Sequence, residues 1–122
     1  MGHKTEITSE AAIVCKTTLR IRALNDRQRT MFEGGASYLS AGIDALPSVE
    51  RVGIITAVRA FDAFTEDNDP WGEHDCATLT VDGHEVMFKV DYYDAKMRGG
   101  SPDPSDKAVT RRVLTILLTS EY

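Results

Sequence analysis

No stretch of this sequence approaches the roughly 18 consecutive apolar residues that a membrane-spanning helix needs, so none is expected to cross a bilayer. An export signal is missing as well. The first 16 residues hold one short apolar patch, Ala11 to Cys15, behind Glu6 and Glu10, whereas a signal peptide needs a basic start and a longer apolar core. The expected location is the cytoplasm. Cysteine is scarce: Cys15 and Cys76 cannot make a disulfide scaffold, and in a reducing compartment both are expected to be free thiols. Gly-rich phosphate loops, G-x-S-x-G and H-E-x-x-H are all absent, so no familiar reaction is announced.

What is present is one globular domain's worth of chain, 122 residues with 42% apolar and 27% charged. The formal charge of −5 argues against a general affinity for nucleic acid or anionic lipid, which attract basic surfaces. That charge is unevenly placed. Phe61 to Asp94 holds ten Asp or Glu residues against one basic residue, Lys89, and stands at −9; the remaining 88 residues stand at +4. Such a lopsided segment points to a negatively charged face that carries function.

The fold class expected is α+β: two or three helices packed on a short antiparallel sheet centred on a β-hairpin at about 76–92. Residues 1–15 lack periodicity and read as a flexible N-terminal arm, with a single domain over 16–122. A helix from about Thr17 to Phe32 follows from Ile21, Leu24 and Met31 at helical spacing, with Gln28 breaking the stripe and Gly34-Gly35 ending it. Arg20, Arg22, Arg27 and Arg29 make it basic. They read as a solvated face, or else as a counterweight to the acidic segment. Ala36 to Ser40 reads as a short strand. Pro47 and Glu50 suit a helix start, and Ile54, Val58 and Phe61 predict a helix over Ser48 to Phe64. Thr65 to Gly72 is a loop by composition. Asp82-Gly83 between two alternating runs predicts a two-residue hairpin pairing residues whose numbers sum to 165, with Leu79, Val81, Val86, Phe88 and Val90 on the core side. Met97 to Asp106 is a surface loop. For 107–121 a helix is favoured over a buried strand, because Val109, Val113, Ile116 and Leu117 keep helical spacing and Ser105 or Asp106 could cap it.

The acidic segment offers several chemistries. Asp67, Asp69, Glu73 and Asp75 are hard oxygen ligands, but an EF-hand fails because Trp71 sits at the third ligand position. A metal site from His74, Asp75, Cys76 and Asp91 lacks zinc-type spacing, and neighbouring strand residues point to opposite faces. A His74–Asp91 hydrogen bond is the plainer expectation, with His84 exposed at the turn. Cys76 beside His74 is a poor nucleophile, since surrounding acids raise a thiol's pKa. Trp71 and Tyr93 are aromatic groups suited to an interface anchor, with a Trp71 that plugs one edge of the core as the equal alternative.

Ile21-Arg22-Ala23-Leu24-Asn25-Asp26, Ala57-Val58-Arg59-Ala60-Phe61-Asp62, Phe64 to Pro70 with Gly72 to Asp75, Lys89 to Asp94, and Arg112 to Leu118 together resemble the bacterial family catalogued as domain of unknown function 3768. The resemblance runs from about Ile21 to Tyr122. It implies no activity, but the family is similar to genes carried by alphaproteobacterial genomes, plasmids and phages. The expectation is therefore a small, acidic, non-enzymatic binding protein: a mobile-element inhibitor or modulator of a nucleic-acid-handling host protein, of anti-CRISPR or anti-restriction type. Its binding face would be Glu66, Asp67, Asp69, Trp71, Glu73, Asp75, Asp91, Tyr93 and Asp94. The partner would be a protein with a basic surface, such as a nuclease or CRISPR effector, with no direct nucleic acid, membrane or cofactor. The competing reading is a small enzyme or metal-binding protein using His74 with its neighbouring carboxylates.

Overall fold

The computed structural model describes the backbone from Ser9 and the side chains from Cys15, through to Tyr122. Helix α1 (Ser9–Met31) is followed by strand β1 (Ala36–Leu39), the single-turn α2 (Ala41–Asp44) and α3 (Ser48–Ala60). The chain then builds β2 (Cys76–Val81), β3 (His84–Tyr93) and β4 (Arg111–Leu118), and ends in a 3₁₀ turn over Thr119–Glu121. The four strands form one sheet in the order β1-β4-β3-β2. None of the described helices is long and apolar enough to cross a membrane.

The Asp-Gly turn behaves as its chemistry requires. Asp82 and Gly83 both take positive φ, at 50° and 81°, and the β2–β3 register keeps the expected pairing from Cys76–Lys89 to Val81–His84. Ala77, Val86, Phe88 and Val90 on the hairpin, with Leu114 and Ile116 on β4, then form one buried face. Ile43 of α2 and Ile54 and Val58 of α3 close over it, all fully buried. The result is the expected α+β class, with helices on one face of a four-stranded sheet.

Residues 107–121 are not a helix. Arg111–Leu118 is a central strand, antiparallel to β3 along its whole length and parallel to β1 over Val113 to Ile116. The β-branched and apolar run that fits either element is decided by these two neighbours: alternate residues Arg112, Leu114 and Ile116 are buried, as in a strand with a packed face. Asp106, read as a cap, instead accepts from the Ala108 amide in the preceding loop. The parallel β1 also makes the sheet mixed rather than purely antiparallel.

The helices differ in detail. Helix α1 begins at Ser9, two turns before the expected Thr17, so the arm expected over 1–15 is helical from that point; residues 1–8 lie outside the described residues. Its left-handed terminus is Phe32, at φ 55°, ahead of Gly34 at φ 93°. Helix α3 stops at Ala60 instead of Phe64, because Phe61 turns extended to pack its ring against Phe64 and Phe88.

The buried stripe of α1 is also not the expected one. Met31 is exposed, and the inward positions are Ile21, Asn25, Gln28 and Arg29. This helix faces the sheet with polar groups, and those groups organise the site.

Candidate functional site

Phe61 to Asp75 is a long connection without regular structure, yet it is stitched in place. Asn68 closes a turn on Thr65 in both directions, and its amide reaches the Ala63 carbonyl. The Asp69 amide donates to the Thr65 carbonyl and the Gly72 amide to that of Asp69. The Asp69 carboxylate, buried, accepts from the His74 amide. Helix α1 grips the other side through backbone groups: Arg22 Nε donates to the Gly72 carbonyl at 2.7 Å and Asn25 Nδ2 to that of Glu73 at 3.0 Å.

His74 is the keystone of this loop. It adopts φ 56°, an uncommon conformation for a non-glycine residue. Its ring stacks on Phe64, Nδ1 lies 2.9 Å from Asp26, and Nε2 faces Asp69 at 3.7 Å. Arg29 lies over the Phe64 ring and pairs with Asp26, closing the cluster from beneath. The expected His74–Asp91 bond is absent, because the left-handed backbone takes His74 out of the β2 line; Asp91 pairs with Lys89 on the open face of β3. His84 is engaged too, 2.7 Å from Glu50 of α3.

A second network lies under the loop. Tyr92, on the core side of β3 as expected, donates its hydroxyl to Glu73 at 2.8 Å and accepts from Asn25. The Asn25 oxygen accepts from Arg112 Nε, and Arg112 also reaches the Pro104 carbonyl. Burial lowers the pKa of this guanidinium, and burial raises that of the Tyr92 hydroxyl, with Glu73's carboxylate adding to the rise.

These supports leave a cleft of about 720 Å³ between α1 and the loop. Cys15, Thr18, Leu19 and Arg22 form one wall, and Phe64, Glu66, Asp69, Trp71 and His74 line the other. Trp71 stands at its lip with 78% of its surface exposed, and Leu19 opposite is half exposed.

The nine residues read from the sequence therefore divide. Glu66, Asp69 and Trp71 line the cleft, and Asp67 is exposed on the same loop. Glu73 and Asp75 lie behind it; burial raises the pKa of Asp75, and the charges of Glu73, Asp69 and Asp91 raise it further. Asp91 holds Lys89, Tyr93 ends β3 with its side chain on the opposite face from Tyr92, and Asp94 caps the next loop by accepting from the Lys96 and Arg98 amides. The α1 wall was missed in the sequence. Its signal was Asn25, Gln28 and Arg29 interrupting an apolar periodicity.

Basic α1 does pack beside the acidic loop, but it holds backbone carbonyls there. Among the described residues, none of its arginines pairs with a loop carboxylate, and Glu66 and Asp67 have no ion-pair partner. Among the described residues there is also no group of three or more His, Cys, Asp or Glu arranged to hold a metal ion. Both described cysteines are free, and burial followed by the charge of Asp75 raises the pKa of the Cys76 thiol.

No curated protein and no solved structure matches this chain. A family model described as a protein of unknown function matches residues 39–121, which takes in α2, α3, the Trp71 loop and the whole β2-β3-β4 meander. The chain belongs to this family of proteins of unknown function, DUF3768.

Proposed function

We propose that this domain is a non-enzymatic binding protein whose docking element is the Trp71 loop and the cleft behind it. The observation that carries the reading is an exposed tryptophan on a fixed loop. A large aromatic ring left 78% in water is a cost to the isolated domain, and the stitching around Asn68, Asp69 and Gly72 means it is not exposed through loss of structure. A preorganised aromatic anchor beside an apolar cleft is what protein recognition uses, because little conformational entropy remains to be lost on binding.

Glu66 and Asp67 beside Trp71, without an ion-pair partner among the described residues, give the surface its sign. A partner with a basic rim around an apolar knob fits it, since opposite charges steer encounter and the ring supplies residence time. A nucleic-acid-handling protein offers such a rim. The inhibitor or modulator reading, anti-CRISPR or anti-restriction, is the specific form of this proposal and rests on the link to plasmids and phages that the resemblance implies. His74 serves here as the brace of the loop, with both ring nitrogens turned to carboxylates.

Trp71 is the sole tryptophan, so it reports directly on its own burial. A photo-crosslinker at Leu19, across the cleft from Trp71, should trap the partner in the native host where one at Thr80 on the far hairpin edge does not. With that partner purified, Trp71 emission should shift to the blue on binding, and Trp71→Ala should weaken the complex. An unshifted emission together with unchanged affinity in Trp71→Ala would remove the cleft from the binding surface.

A further inference from the structure

Strand β1 is an edge of the sheet with no strand on its outer side among the described residues, and we infer that it is a self-association edge, pairing with β1 of a second copy about a two-fold axis through Tyr38. Edge strands carry a row of backbone groups ready to pair, and proteins usually blunt them with lysine, proline or a bulge. Here the edge reads Ala36-Ser37-Tyr38-Leu39, with neither charge nor proline. The Ser40 amide donates to Ile116, so in the parallel ladder Tyr38 and Ser40 turn toward β4, and Ser37 and Leu39 turn their N–H and C=O groups outward. The strand is held rigid at both ends. Gln28 donates to the Ala36 carbonyl, and Ser40 Oγ is bound by Glu121 at 2.6 Å.

The geometry is self-complementary. An antiparallel β1–β1′ pair centred on Tyr38 sets Ser37 opposite Leu39′ and Leu39 opposite Ser37′, so each outward pair exchanges both of its hydrogen bonds. Beside the strand runs an apolar groove of about 450 Å³ lined by Phe32, Leu39, Ile55 and Ile116. Phe32 and Tyr38 stand exposed on it, at 37% and 58%. The two-fold axis turns each groove toward its own mate.

Charge favours this edge over β2 for pairing with a second copy. The −9 segment contains β2 and β3, and the order β1-β4-β3-β2 puts both on the far side of the sheet. At roughly 4.8 Å per strand, pairing through β1 leaves the two acidic halves about 25 Å apart, well beyond the Debye length of roughly 8 Å at physiological salt. Pairing through β2 would bring them together. This edge lies on the opposite side of the sheet from the hairpin edge and does not use the Trp71 cleft, so the two surfaces can be tested separately.

Sedimentation velocity across micromolar concentrations should show the 13.5 kDa chain passing to twice that mass. Tyr38→Lys places a charge on the axis, and Ser37→Pro removes an outward N–H without touching the bonds to β4. Each should weaken self-association at least roughly a hundredfold, with circular dichroism unchanged. Hydrogen exchange in the unmodified chain gives the second measurement: the Ser37 and Leu39 amides should become protected as concentration rises. Trp71→Ala should dimerise normally. A monomer at every concentration, or a dimer that persists in Tyr38→Lys and Ser37→Pro, would overturn the inference.

Discussion

The imidazole of His74 lies flat on the ring of Phe64, 3.8 Å between centroids and 4° from parallel. That stack joins the start of the acidic loop to its end, and Asp26 of α1 fixes the imidazole from the side at 2.9 Å. A loop closed by its own side chains resembles a hinge with the pin inserted. The pin should be measurable. His74→Ala removes the stack and the Asp26 contact and leaves a left-handed backbone under an ordinary side chain, so a loss of about 2 kcal/mol is expected in urea unfolding. His74→Asn, which tolerates positive φ, should lose less. Equal losses in the two variants would mean that backbone conformation contributes nothing.

The Arg112–Asn25–Tyr92–Glu73 chain is the second support. Arg112 is 3% exposed and, among the described residues, has no ion-pair partner, so its charge is balanced by Asn25, the Pro104 carbonyl and the face of Tyr92. Asn25→Ala strips one of those partners and leaves a buried cation short of a hydrogen bond at Nε. A cost of about 3 kcal/mol is expected by chemical denaturation. Asn25→Ala combined with Arg112→Met should recover part of it, because removing both partners eliminates the orphaned charge. A double variant as unstable as the sum of the single ones would deny the coupling.

These networks explain what was legible in the sequence and what was not. The hairpin was readable because Asp82-Gly83 fixes a turn and period-two alternation fixes the faces, both local effects. The strand at Arg111–Leu118 was not, since its run of Val, Ile and Leu satisfies either period and only β1 and β3 on its flanks decide. The cleft was half legible. Trp71, Glu66 and Asp69 stood out by chemistry, but Asn25 and Asp26 lie about 48 residues from their partners Glu73 and His74, a pairing that only the fold supplies. Asp91, Tyr93 and Asp94 share charge or aromaticity with the cleft set and no geometry with it.

Trp71→Ala separates stability from binding. With most of the ring in water, the unfolding free energy should stay within about 0.5 kcal/mol of the parent. Affinity for the partner should fall by about 2 kcal/mol or more, mostly through faster dissociation, as for an aromatic hot spot. Ser in place of Glu66 and Asp67 should instead slow association, and added salt should erase that difference. Binding rates at low and high salt read both effects.

Asp75 works against the fold. Burial and three nearby carboxylates raise its folded pKa above the unfolded value, so the folded state takes up the proton first. Stability from this group therefore rises as pH falls through the folded pKa, and is lowest where Asp75 is ionised. Asp75→Asn should raise stability at neutral pH by on the order of 1 kcal/mol or less, given its half-buried position, and the gain should vanish below the unfolded carboxylate pKa. Thermal melts at neutral and acid pH test the sign. A variant less stable at neutral pH would show that the carboxylate makes a contact that outweighs its desolvation.

Glu121 has the opposite sign, and the contrast makes the pair diagnostic. Its carboxylate accepts from Ser40 Oγ at 2.6 Å, the Gly42 amide at 2.9 Å and the Leu118 amide at 2.8 Å, tying the chain end to the β1–α2 corner. The Ser40 bond first, then the Leu118 and Gly42 amides, hold its pKa below the ordinary glutamate value. A depressed folded pKa stabilises above the unfolded value and loses that contribution as pH falls through the folded one. Glu121→Gln should therefore cost stability at neutral pH and nothing once the parent's carboxylate is protonated, so the two acid-unfolding curves converge at low pH. Because Ser40 links β1 to α2, the same substitution should speed amide exchange at Ser40 and Ile43 while leaving the β2–β3 hairpin protected. Curves that stay parallel down to acid pH, or an exchange change in the hairpin instead of the corner, would show that the carboxylate is not what fixes β1 in place.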